Sequence, residues 1–248
     1  MLILLPPSET KAHGGTGAPL NWDELSFPAL NPVRQDIAAD LAQLDVDKAL
    51  EVLGISEKLR PEAESNTELF ASPTMPAIER FTGVLYDALD AATLPPAARA
   101  RLAIGDALFG ITRASDMIPH YRLSGGTKLP TKDGETPTLK SRWGKAITEQ
   151  LAEVAQSGEL VVDMRSGTYQ QLGKFKQAVT IRVESVQEDG SRKVVSHFNK
   201  HYKGQLARIL ALSPADAYAV DDVAAIASAA GLTVEGPQPG KLELTLVV

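Results

Sequence analysis

Met1–Leu5 is a run of five apolar residues, and Pro6-Pro7 closes it at once. A short apolar run with a proline stop reads as a buried strand. The chain must therefore fold around at least one interior strand, and 44% hydrophobic residues give it a sizeable core. The run is shorter than the apolar core of a secretory leader, and no basic stretch precedes it. No later run approaches the roughly 20 residues that cross a bilayer. A soluble, cytoplasmic protein with no membrane partner is expected.

Further along, Val33, Ile37, Leu41 and Leu44 mark one face of a helix over 33–44, as steps of three and four require. Asp47–Leu53 reads as a second helix ended by Gly54, and Ser56 can cap a third. Helix, Leu-Gly-Ile-Ser, helix is the outline of a helix-hairpin-helix, whose hairpin amides can hold a DNA phosphate. The plainer alternative is a helical turn packing its apolar residues. Pro76–Leu89 carries a helical face, Arg101–Ile104 suits a short strand, and a glycine-interrupted helix is expected from Asp106. Phe109–Leu123 mixes polar groups, turn formers and apolar anchors, as a functional loop held against a core does. Residues 124–138 read as an exposed excursion and Thr138–Ala155 as a helix. Strands are expected at Glu159–Met164, at the alternating Gln177–Gln187, at its hairpin partner Lys193–Phe198 and at Lys241–Val248. Helices are expected at Asn199–Leu212 and Asp221–Ala230. Strands and helices interleave without regular βαβ units, so the fold class is mixed α/β (α+β). A single domain over 1–248 is expected, with a mixed sheet and surrounding helices.

The net charge is −6, which disfavours coating nucleic acid or membrane through bulk charge. Locally the picture reverses. Arg165–Arg208 holds nine Lys and Arg against three acids, +6, leaving −12 on the rest. Lys200, Gly204 and Arg208 recur at four-residue steps and share a helix face. A glycine between two cations lets a phosphate, or another backbone, approach closely. A solvated face normally mixes both signs, yet no acid occurs from Arg192 to Arg208. An anion-binding surface fits better, for a nucleic-acid backbone, a nucleotide or a phosphorylated metabolite.

The absence of cysteine excludes disulfides, thiolate zinc sites and a cysteine nucleophile. Any metal would have to come from four histidines and the carboxylates. His197 and His201 lie four apart but lack a carboxylate to complete a site, so neither metal nor cofactor is expected. His13–Gly17 is not a phosphate-binding P-loop, because Ala18-Pro19 follows where Lys-Ser/Thr and a helix are needed. It reads as a mobile loop.

Taken in order, these segments resemble the YaaA-like bacterial peroxide-stress family, in a divergent branch. Met1–Lys11 looks like that family's opening strand and polar turn, and Phe81-Thr82-Gly83-Val84-Leu85-Tyr86 like its FxGxxY helix. Gly110, Arg113, Asp116, Pro119, Tyr121, Arg122 and Leu123 resemble its "YGxLRPxDxxxPYRLE" loop. Trp143-Gly144 resembles its "FWG" element, and Lys200, Gly204, Leu206 and Arg208 its "yaKkaRGlMaR" helix. The proline of the Arg-Pro pair is missing at Ala114, and the "NLAS.EY" segment keeps only Ser166 and Tyr169. The resemblance implies a mixed α/β fold with a helix-hairpin-helix and a cationic cleft, DNA binding, and a role in limiting iron-driven oxidative damage.

Two site readings follow. As a binding module, the chain would hold DNA phosphates through Lys58, Lys200, Lys203 and Arg208. As an enzyme on a nucleotide or nucleobase, it would gather Ser8, Thr10, Lys11, Arg113, Tyr121, Arg122 and Ser166 in one pocket. Glu9, Asp116 and Tyr169 would then be the catalytic candidates. An iron-handling protein is a third reading, for which no compact His-carboxylate cluster is visible.

Overall fold

A computed structural model describes residues 1–195 and 198–248. His197, weighed above as a metal ligand, lies outside the described residues. Among these, the strands are β1 Leu2–Leu5, β2 Met75–Pro76, β3 Leu102–Gly105, β4 Ile111–Arg113, β5 Met117–Ile118, β6 Val161–Asp163, β7 Val179–Val186, β8 Arg192–Val194, β9 Thr233–Glu235 and β10 Glu243–Val247. The helices are α1 Asn31–Ala42, α2 Val46–Leu53, α3 Arg60–Thr67, α4 Ala77–Arg80, α5 Val84–Leu89, α6 Pro96–Arg99, α7 Leu139–Trp143, α8 Ala146–Gln156, α9 Gly167–Gln170, α10 Asn199–Leu212 and α11 Val220–Ala229. None is long and apolar enough to cross a membrane.

The expected mixed sheet is present. Its order is β4-β3-β1-β6-β7-β10-β9, with β8 added on β7. β1 runs parallel to both neighbours, Ile3 lying opposite Leu102 on one side and Val162 on the other. β7 and β10 extend the parallel set, whereas β4, β8 and β9 join antiparallel. Leu2, Ile3, Leu4 and Leu5 are all fully buried, as central parallel strands require. One hydrophobic core runs from Leu2 to Leu244. The alternation in β7 is also realised, with Val179, Ile181 and Val183 inside and Arg182 outside.

Several local expectations are corrected. The helix expected from Asp106 is a tight turn: Asp106 Oδ1 accepts the Leu108 and Phe109 amides at 2.7 and 2.8 Å. Gly110 then takes a left-handed φ of 71° and sends the chain back as β4. The Pro76–Leu89 helix is broken in two at Gly83, whose φ is 94°. The hairpin strand after Gly190 ends at Val194, with residues 196 and 197 of the expected Lys193–Phe198 strand outside the described residues, and β9 is an additional strand.

Helix α10 packs on β1, β7 and, most closely, α5. Gly204 sits at that crossing, where a Cβ would lie 2.3 Å from the Leu85 carbonyl oxygen. The close approach permitted by this glycine is thus to another backbone, not to a phosphate. Gly204→Ala is expected to destabilise the fold by about 1–3 kcal/mol through overpacking, outweighing alanine's helix propensity. Urea unfolding checks this: a midpoint at or above that of the wild type contradicts it.

Candidate functional site

Ligands of parallel sheets bind outside the carboxyl ends of the strands, where the connections diverge. Here β1 is that point, with β3 on one side and β6 on the other. β7 also outruns β6. It pairs with β6 only through Val179 and Thr180 and with β8 only from Glu184 onward. The notch between them opens into a cavity of 590 Å³, a size that suits a small-molecule ligand. A side hollow of 220 Å³ shares Pro6, Pro7, Glu9 and Lys200 and reaches Ser8, Thr10 and Thr82–Tyr86.

The lining is cationic. Lys174, Arg182, Lys200 and Lys203 face two acids, Glu9 and Glu243, and Arg182 is itself paired with Glu184 at 2.5 Å. Lys200 is exposed and has no partner among the described residues. Lys203 is buried, donates to the Met164 carbonyl at 3.2 Å, and burial lowers its pKa against the pull of Asp163. Arg165 borders the cavity but is bidentate on Asp163, with both contacts at 2.9 Å. Ser166 is exposed on the same rim.

Glu9 is the hub of the opposite wall. Its Oε2 accepts from Arg122 Nη2 at 2.8 Å and from Ser124 Oγ at 2.9 Å. The Tyr169 hydroxyl donates to its Oε1 at 3.4 Å. Arg122 also donates to the Glu9 carbonyl at 2.8 Å, and Asn66 of α3 pairs with both backbone groups of Arg122. Ser8 and Thr10 hydrogen-bond to Thr82 at 3.2 and 3.1 Å, which ties the turn after β1 to the start of α5.

The expected single pocket is therefore only partly assembled. Glu9, Arg122, Tyr169, Ser166, Ser8 and Thr10 meet at the strand ends. Asp116 does not: its carboxylate accepts from Ser26 Oγ at 2.7 Å and from the Ser26 and Arg113 amides. Arg113 donates to Glu159 at 3.0 Å, at the other end of β4 from the cleft. Tyr121 is buried beneath the turn against Phe109. Of the cations expected on DNA, Arg208 donates to the Leu89 and Asp90 carbonyls at 2.9 and 3.0 Å, closing the end of α5. Lys58 is exposed on the α2–α3 turn, where Gly54 adopts the expected left-handed conformation. That element carries seven acids against three bases over 45–68, and Arg60 is tied to Asp47 and Glu57.

Nothing in the sequence pointed to Asp106, Asn66 or Glu62. Nor was it visible that His13, Glu62 and His120 come together, their ligand atoms all within 4.8 Å of one another. The absence of a compact His-carboxylate cluster is thereby corrected. The loop read as mobile is anchored: the Gly17 amide donates to the Thr74 carbonyl at 2.9 Å, and a Cβ on Gly15 would meet that carbonyl oxygen at 2.5 Å.

A family model described as peroxide stress protein YaaA matches residues 1–236. A UPF0246 protein of Corynebacterium glutamicum is 69% identical over the whole of both chains. A UPF0246 protein of Streptomyces coelicolor is 46% identical over 85% of this chain and 82% of its own. An uncharacterized protein of Campylobacter jejuni is 29% identical over 85% of each chain.

Lys11 underlies the cleft as a buried cation. Its Nζ donates to the Ser8 carbonyl at 3.3 Å and lies 4.4 and 5.2 Å from the Tyr121 and Phe81 ring centroids. Burial lowers its pKa to about 8, opposed chiefly by the charge of Asp106. A lysine depressed in the folded state binds fewer protons there than in the unfolded chain, so stability rises with pH between the two pKa values. The stability of the wild type relative to Lys11→Met should therefore increase by roughly 3 kcal/mol between pH 7.5 and 10.5. Urea unfolding at three pH values reads this directly; a flat difference would show that Lys11 is not desolvated.

Proposed function

We propose, from the premise that the chain belongs to the peroxide stress protein YaaA family, that the cleft beyond β1 and β6 holds a phosphate-bearing ligand of nucleotide size. We place this binding within the protection against iron-driven oxidative damage that the resemblance implies. The observation that carries the reading is the convergence of Lys174, Lys200 and Lys203, with Arg182 paired to Glu184 beside them, from three separate segments on one concave site. Lysine ammonium groups at that density favour phosphate oxygens, and the Tyr169 ring offers a surface for the remainder of the ligand. Glu9, fixed by Arg122 and Ser124, is the acid–base group in reach if the ligand is turned over.

DNA binding is the competing reading, since its backbone presents the same phosphates. Two features favour the smaller ligand. The α2–α3 turn is net acidic, which opposes a DNA phosphate there, and Arg208 is engaged at the end of α5 instead of extending the surface.

Fluorescence anisotropy with a labelled adenine nucleotide and with a labelled duplex, across a salt series, tests both. The nucleotide is expected to bind, to weaken with salt, and to lose about tenfold in affinity in Lys200→Ala, the effect of one charge-assisted contact. Nucleotide binding that is absent at low salt, or unchanged in Lys200→Ala, overturns the proposal. Duplex binding that is abolished by Lys58→Ala would establish the helix-hairpin-helix reading in its place.

A further inference from the structure

On the other side of Lys11 from the cleft, two imidazoles and one carboxylate face each other. His120 is buried, its side chain 7% exposed, Glu62 is 18% exposed and His13 70% exposed. The His13 and His120 rings stack at 4.2 Å with 18° between their planes. Both turn Nε2 to the same carboxylate: His120 Nε2 lies 3.0 Å from Glu62 Oε2, and His13 Nε2 lies 3.5 Å from Oε1.

The proton positions can be argued from the partners. His120 Nδ1 lies 3.1 Å from the Ala12 carbonyl oxygen. A carbonyl only accepts, so Nδ1 carries the hydrogen, and in the neutral ring Nε2 is then a bare acceptor. That acceptor faces a carboxylate oxygen, another acceptor, at hydrogen-bond distance. Positive charge resolves the clash, supplied either by a second proton on His120 or by a cation that both groups bind. Metal–ligand bonds of about 2.1 Å place neighbouring ligands about 3.0–3.4 Å apart; the His120–Glu62 separation matches, and exposed His13 brings its lone pair onto the same ion by turning out of the stack. An Nδ1–H held by a backbone carbonyl is also the usual outer support of a metal-binding histidine.

The surrounding structure holds this arrangement in place. Arg80, fully buried, donates to the same Ala12 carbonyl through Nη1 at 2.5 Å. Glu62 and Asn66 lie one turn apart on α3, and Asn66 clamps the backbone two residues beyond His120. Gly14 and Gly15, with φ of 72° and 137°, fold the loop so that His13 reaches its partner.

We propose that His13, Glu62 and His120 form a binding site for a divalent first-row transition-metal ion. Two imidazoles and one carboxylate select ions of borderline softness over Mg²⁺ or Ca²⁺. The exposure of His13 leaves coordination positions open to solvent or to an exogenous ligand.

The test is a titration of the EDTA-treated full-length protein with Co²⁺, followed by its visible absorption, and with Zn²⁺ by calorimetry. One equivalent is expected to bind with micromolar or tighter affinity, and excess Mg²⁺ is expected not to displace it. His13→Ala, a change at an exposed side chain that leaves the fold intact, should weaken binding at least tenfold, and Glu62→Gln should do the same. Absence of binding below millimolar metal, displacement by Mg²⁺, or wild-type affinity retained in both variants would each overturn the proposal.

Discussion

Strand β1 is buried on both faces and hydrogen-bonded along both edges, Leu2 donating to Leu160 and Ile3 to Arg101 at 2.8 Å. Its position between β3 and β6 is what the rest of the molecule is arranged around. A strand so enclosed cannot bend within the sheet, and Pro6-Pro7 ends the ladder because proline has no amide to donate. The chain must leave over the sheet end. It does so as Ser8-Glu9-Thr10-Lys11-Ala12-His13, whose polar groups therefore gather at one edge of the core. Glu9 looks into the cleft, Lys11 sinks beneath it, and His13 reaches the far side.

Charge along the sequence and charge in space are different quantities here. The +6 segment suggested a broad basic surface, but many of its cations are already engaged. Arg165 neutralises buried Asp163, Arg192 pairs with Glu235 from β9, and Arg208 closes α5. Each engagement lowers the field available to a ligand, because an ion pair seen from outside is only a dipole. Of what is left, Lys174 and Lys200 stand exposed on the two rims of the notch where β7 outruns β6 and Lys203 lies buried within it, while Lys176 and Lys193 are exposed outside it. A concave site with a few free cations discriminates among anions better than a flat basic face does.

The elements that were legible in the sequence are those whose signal is local. β1 and β7 announce themselves by apolar run and by alternation, and the α2 end by a left-handed Gly54. Lys200 stood out because no acid accompanies it. The errors came where tertiary partners decide. The residues after Asp106 carry helix-compatible side chains, yet the Asp106 carboxylate captures two amides and forces a turn. Asp116 looked catalytic by its company in the loop, and only the fold reveals that Ser26, 90 residues away, already occupies it. Glu62 and His120 are 58 residues apart, and nothing in the spacing of either can signal the other.

The cleft and the histidine cluster share one framework. Residues 9 to 13 carry a group for each, and residues 120 to 122 supply His120 to one and Arg122 to the other. Helix α3 holds both through Glu62 and Asn66, which lie on a single face because they are four residues apart. A short segment fixed by so many side-chain-to-backbone bonds moves as a unit, since breaking those of Asn66 or His120 leaves a partly buried polar group unpaired. Acidic α3 is unfavourable for a DNA phosphate, and its Glu62 is the carboxylate that the proposed cation site with His13 and His120 requires. The helix that the sequence suggested as half of a nucleic-acid motif is thus better matched, by charge and by contact, to holding the turn beyond β1.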